Sequence, residues 1–95
     1  KMDVSSVARA AESEWRRLAA EGRAAEANIV LLEKQLSALE EQIAASLTTY
    51  ESGTGDYAPI VDGEITRLHF QSKISREIAR RNIVTARANS QLVTI

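Results

Sequence analysis

His69 is the only histidine in the chain, and so the only imidazole that could serve as a metal ligand or a general base. A helical metal site would need a second ligand one turn away. The positions four before and four after hold Ile65 and Lys73. Asp62 and Glu64 are poorly spaced to complete a three-ligand set, so His69 reads as a solvated surface residue. There is no cysteine, which removes disulfides, thiolate nucleophiles and Cys-based metal sites. Gly53-Thr54-Gly55 is a glycine-rich turn, but no Gly-Lys-Ser/Thr follows to cradle a phosphate. No nucleophile, base and acid can be assembled around the single histidine. The reading is of a non-enzymatic chain with no catalytic residue, no metal site and no cofactor.

The elements that position these residues follow from composition. The chain has 95 residues, of which 44% are apolar, but fifteen of those are alanine. Alanine brings little surface to a core, so long helices packed side by side fit better than a thick globular interior. Only four residues are aromatic: Trp15, Tyr50, Tyr57 and Phe70. The net charge of −1 is less basic than a general nucleic-acid binder needs. No run of eighteen apolar residues exists, so no segment reads as a membrane-spanning helix. Lys1-Met2-Asp3 lacks the apolar stretch of a signal peptide; for an exported protein, the signal is expected to lie outside this chain.

Helix-breaking residues gather in one place, Ser52-Gly53-Thr54-Gly55-Asp56-Tyr57-Ala58-Pro59. Before it runs a row spaced alternately by four and three: Val4, Ala8, Ala11, Trp15, Leu18, Gly22, Ala25, Ile29, Leu32, Leu36, Leu39, Ile43, Ser46 and Tyr50. That is a heptad seam of more than six repeats, interrupted only by the small residues Gly22 and Ser46. Asp3 is the expected N-cap and Glu12/Arg16 an expected ion pair one turn apart. Gly53 is expected to end the helix in the left-handed conformation. Asp56 is then the expected N-cap of a second helix, with Pro59 in its first turn and Asp62 and Glu64 favouring its N-terminus.

The second helix has a weaker apolar pattern: Ile60, Val61, Ile65, Leu68, Ile74, Ile78, Ile83 and Leu92, with Ser72, Ser75, Asn82 and Asn89 among them. Glu77/Arg81 is its expected i,i+4 pair. Arg76, Arg80, Arg81 and Arg87 make it locally basic, while the first helix is acidic: residues 1–51 carry −3 and residues 52–95 carry +2. Electrostatic pairing between the helices explains this asymmetry better than nucleic-acid binding. The expected fold is all-α, a long antiparallel helical hairpin with helices at about 3–51 and 58–93 and a turn at 52–57. Val30, Leu31 and Leu47 make a second apolar edge beside the main seam. A two-helix hairpin cannot cover both, so further helices are expected, from other copies or from the rest of a longer protein.

Tyr50-Glu51-Ser52-Gly53-Thr54-Gly55-Asp56-Tyr57, followed by Ile60-Val61-Asp62-Gly63-Glu64 and Leu68, resembles the second periplasmic hairpin of TolC-type outer-membrane efflux proteins, nearest to the heavy-metal or copper branch. Ala86-x-x-x-Ser90-x-Leu92 resembles the alanine-rich end of the same helix. The resemblance spans roughly residues 28 to 93. Gly63 departs from it, standing where alanine is usual, which is expected to loosen the helix start by roughly 1 kcal/mol. Pro59 is a second departure.

The resemblance implies a fragment, residues 1–95 as one periplasmic hairpin of a larger channel. Such channels are trimers with a β-barrel in the outer membrane and an α-helical tunnel in the periplasm. The turns meet the hairpin tip of a periplasmic adaptor, which joins the channel to an inner-membrane pump exporting metal cations or drugs. Carried over by position, Gly53, Thr54 and Gly55 form the adaptor-docking tip. Gly55 stands where a basic residue occurs in the family, so a charge contact from that position is absent. Asp62 matches an acidic residue constricting the tunnel entrance, and Tyr50 a tyrosine holding neighbouring coiled coils closed. A ring of Asp62 carboxylates would favour cations, and small seam residues would let coiled coils slide. A stand-alone coiled-coil interaction module is the alternative. The hairpin of the adaptor itself is a third reading, disfavoured by the Tyr-x-x-Gly turn and the downstream Asp62.

Overall fold

The computed structural model describes residues 3–94; the Lys1-Met2 start lies outside them. The chain is an all-α antiparallel helical hairpin with two elements, α1 (Val4–Glu51) and α2 (Ala58–Thr94). No strand occurs among the described residues, and no helix is long and apolar enough to cross a membrane. The helices divide into two compact units: one joins α1 up to Asn28 with α2 from Glu77 onward, the other is Ile29–Arg76.

In the first unit, α1 starts at a side-chain cap. Asp3 Oδ1 accepts the Ser6 backbone N–H at 2.7 Å, which satisfies a donor that the first turn leaves unpaired. That bond holds the Asp3 carboxyl below its usual range. The expected Glu12–Arg16 pair forms, and Arg17 bridges Glu14 and Glu21. Ala11, Leu18 and Ala25 are buried and Trp15 and Gly22 half-buried, as the seam requires, whereas Val4 and Ala8 are exposed. On α2 the matching side is Glu77, Arg81, Val84, Ala88 and Gln91, with Val84 buried against Gly22. Arg81 reaches across to Glu26 at 2.8 Å. The expected Glu77–Arg81 pair is thus replaced: Glu77 takes Arg80 at 3.3 Å instead. Arg81 sits on the inner side, so its stem packs between the helices and its charged head emerges beside α1. These pairs lie at the surface, where solvent screening keeps each of them weak.

In the second unit, Ile29 is buried and Leu32, Leu36, Leu39, Ile43 and Ser46 are half-buried, again the expected row. Facing it on α2 are Ile60, Gly63, Arg67, Phe70 and Ile74. The α2 seam therefore runs 60, 63, 67, 70, 74 and continues 77, 81, 84, 88, 91, a regular heptad row. Of the apolar set expected from sequence, Ile60 is buried and Ile74 and Ile78 are half-buried. Val61, Ile65, Leu68, Ile83 and Leu92 are all exposed. The row was hidden because three of its positions are charged: Arg67, Glu77 and Arg81. Arg67 is drawn out to Glu64 at 2.6 Å.

Gly63 is a packing residue and not a loose helix start. A Cβ at this position would lie 2.6 Å from Cγ1 and 3.2 Å from Cδ1 of Ile43. Ile43 is β-branched and stiff at χ1, so it yields little. Gly22 differs, since a Cβ there would meet only Val84 Cγ1 at an ordinary 3.8 Å. Gly22→Ala is expected to raise unfolding stability by about 1 kcal/mol through helix propensity alone. Gly63→Ala is expected to lower it, and to become stabilising once Ile43→Ala has removed the obstruction; urea unfolding of the four variants measures both signs. For the cap, the folded-state depression of the Asp3 carboxyl means its contribution is complete above the unfolded titration and lost as pH falls through the folded one. NMR titration of Asp3 is expected to show a midpoint below that of the same carboxyl in the urea-unfolded chain, and the Ser6 amide should lose hydrogen-exchange protection over the same acidic interval.

Candidate functional site at the turn

The turn is built from backbone chemistry. The last carbonyls of α1 have no helical partner and must be satisfied locally. Gly53 adopts φ +80°, the left-handed region where a side chain is strained. Its N–H donates to Tyr50 O at 3.0 Å, and Thr54 N–H donates to Thr49 O at 3.1 Å. This pair of bonds is the Schellman arrangement, and it confirms Gly53 as the residue that ends α1. Ser52 Oγ donates to Thr49 O at 2.8 Å and lies 2.9 Å from Thr54 Oγ1, which itself approaches Thr49 O at 3.3 Å. The Thr54 hydroxyl is therefore directed into the turn. Gly53 and Thr54 are exposed, while Gly55 is half-buried. A Cβ at Gly55 would lie 2.6 Å from Thr49 Cγ2 and 3.2 Å from Thr49 Cβ. Of the three tip glycine-turn positions, Gly53 is required by its φ and Gly55 by its closeness to α1.

The second helix is capped at Tyr57 and not at Asp56. The Tyr57 carbonyl accepts the N–H of Ile60 at 3.0 Å and of Val61 at 3.3 Å, which places Pro59 within the first turn as expected. Asp56 is exposed and takes part in no hydrogen bond. Tyr57 also makes a contact that the sequence reading missed. Its ring lies 5.2 Å from that of Tyr50, tilted by 56°, a geometry that suits aromatic quadrupoles. Both rings are about half exposed. Tyr50 is thus not closed into the seam: it stands at the tip, paired across the turn. The available signal was the equal spacing of the two tyrosines about Gly53-Thr54.

Asp62 lies one turn into α2, exposed, with no hydrogen bond or ion pair on its carboxylate; its carbonyl accepts Thr66 Oγ1 at 2.9 Å. It borders an open groove with Gln42, Ser46, Pro59, Gly63 and Thr66, which continues past Ala45 and Thr49 to Gly55 and Asp56. The groove, also lined by Leu39 and Ile43, carries two free carboxylates, Asp56 and Asp62, and no cation. The structure brings Asp62 to that groove, and Gly53, Thr54, Gly55 and Tyr50 to the tip. His69 is exposed, and no group of three potential metal ligands occurs among the described residues. No family model, curated protein or solved structure matches the chain.

Replacing Gly53 tests the turn. Gly53→Ala is expected to cost about 1 kcal/mol of unfolding stability, and Gly53→Asn less, because asparagine tolerates the left-handed region better. Equal stability of the alanine variant in thermal or urea unfolding would contradict the φ assignment.

Proposed function

We propose that this hairpin is a periplasmic tunnel segment of a trimeric outer-membrane efflux channel of the TolC type. Its turn docks the hairpin tip of a periplasmic adaptor, and the channel serves a tripartite pump for metal cations or drugs. The observation that carries the reading is the tip: a Gly53 turn with exposed backbone, flanked by the Tyr50–Tyr57 pair, with the free Asp62 carboxylate directly behind it. The bare glycine lets a second backbone approach closely. Exposed Gly53 and Thr54 and the half-exposed tyrosine rings make up the contacting surface. The face with Asp62 lines the conduit, where a ring of three carboxylates attracts cations and repels anions. Transport is passive conduction gated by coiled-coil movement, with no bond chemistry.

A stand-alone coiled-coil scaffold is the second reading. The regular heptad rows on both helices favour it, since such rows suit any helical partner.

In the intact channel assembled with its adaptor and pump, Thr54→Cys is expected to form a crosslink to a cysteine at the adaptor's tip. Asp62→Ala is expected to weaken block by divalent cations in single-channel recordings. A pump that assembles and exports without any tip crosslink, or a channel whose cation block is unchanged, would remove the corresponding role.

A further inference from the structure

Within the Ile29–Arg76 unit, the face that holds the groove of Gln42, Ala45 and Asp62 extends along both helices. Its α2 row runs Pro59, Asp62, Thr66, His69, Lys73 and Arg76, every member exposed. The charges on that row are segregated: the carboxylate lies toward the tip, the ammonium and guanidinium at the far end. Asp62, Lys73 and Arg76 enter no ion pair among the described residues, although Lys73 Nζ lies over the Phe70 ring at 5.7 Å. The α1 row on the same face is Leu31, Gln35, Ala38, Gln42 and Ala45, exposed and without charge. We infer that this face is self-complementary and takes a second copy of the chain, face to face, with the two hairpins antiparallel and their tips at opposite ends.

Charge sets the orientation. A row that is acidic at one end and basic at the other is complementary to its own reversed copy. Reversal sets Asp62 of each chain between Lys73 and Arg76 of the other, so facing α2 residues have numbers adding to about 136. Thr66 and His69 then fall near the axis. The axis is a twofold and the contact isologous, with each half supplying both partners of every pair. Face-to-face contact with the tips level would instead set the charged α2 row on the uncharged α1 row. Each of the three charges would then lose water without gaining a partner.

Size gives an independent check on α1. Inside the hairpin, Ile43 lies against Gly63 and Tyr50 against Tyr57, so level residues have numbers adding to about 106. The same twofold therefore brings together α1 residues whose numbers add to about 76. Leu31 of each copy lies on Ala45 of the other, Gln35 lies on Gln42, and Ala38 meets Ala38 at the axis. The one large apolar side chain of the row meets a small one, the two amides face each other, and the axis passes where no side chain extends beyond Cβ. The contact is about 22 Å long and two helices wide, roughly 400 Å² from each copy. That is below the standard specific interface, so the dimer is expected to be weak, with a Kd of about 0.1–1 mM, and weaker still in high salt. A free hairpin can close this face whether or not it also serves in a channel, where the face stays open to the conduit, so the pairing does not rest on the channel reading.

Sedimentation equilibrium at chain concentrations up to about 1 mM gives the first readout. The unaltered chain is expected to dimerise, and Asp62→Lys to weaken dimerisation about tenfold or more. The triple variant Asp62→Lys/Lys73→Glu/Arg76→Glu, which reverses the whole row, is expected to regain it. Glu33→Lys makes the same change of net charge one heptad before Glu40, which lines a separate groove with Glu64 and Arg67, and is expected to leave dimerisation unchanged. The native absence of cysteine gives the second readout. Ala38→Cys, at the axis, is expected to oxidise to a disulfide dimer in about tenfold or greater yield than Leu31→Cys, whose two copies lie about 20 Å apart. Leu31→Cys mixed with Ala45→Cys is expected to match the Ala38→Cys yield. Every variant is checked for helicity by circular dichroism. A chain that stays monomeric, a triple variant that fails to recover, loss of dimer in Glu33→Lys, or equal self-pairing of Leu31→Cys and Ala38→Cys would each overturn the inference.

Discussion

Two helices can cover only one stripe of each other, and that constraint governs everything else in this molecule. Only Ala11, Leu18, Ala25, Ile29, Ile60 and Val84 are buried among the described apolar residues. Six small or medium side chains give a thin interior, so stability depends on how closely the helices approach. Glycine at 63 sets that approach against Ile43, and the small residues Gly22, Ala25 and Ala88 line the inner side elsewhere. The same constraint leaves Val61, Ile65 and Leu68 facing water.

The first helix was legible in the sequence. Its row at alternating spacings of three and four recurs in the structure from Ala11 to Ser46, and its boundaries at Asp3 and Gly53 follow from side-chain and glycine chemistry. The second helix was legible in extent but not in facing. A search for apolar residues finds the exposed row, because the buried row includes Arg67, Glu77 and Arg81. Long arginine stems pack while their heads stay wet, so burial and apolar identity part company at such positions. Spacing read from the fixed neighbours Ile60, Phe70, Ile74 and Val84 would have recovered it.

The tip was legible in part. Gly53 is where its φ demands, yet the inward hydroxyl of Thr54, the steric need for Gly55 and the capping carbonyl of Tyr57 depend on backbone bonds that no composition rule contains. Asp62 is a free carboxylate beside an open groove one turn into α2. The tyrosine pair joins the two helices beneath the turn and gives the tip a defined aromatic surface. A turn held by internal hydrogen bonds suits repeated docking, because little order remains to be imposed on binding.

The proposed role makes this hairpin one wall element of a larger outer-membrane channel. The most direct measurement is the intact mass and membrane fractionation of the untruncated native polypeptide from its host. The account predicts a product of several hundred residues that fractionates with the outer membrane. A product of about 95 residues in the soluble fraction would contradict it and leave a self-associating coiled coil as the working unit.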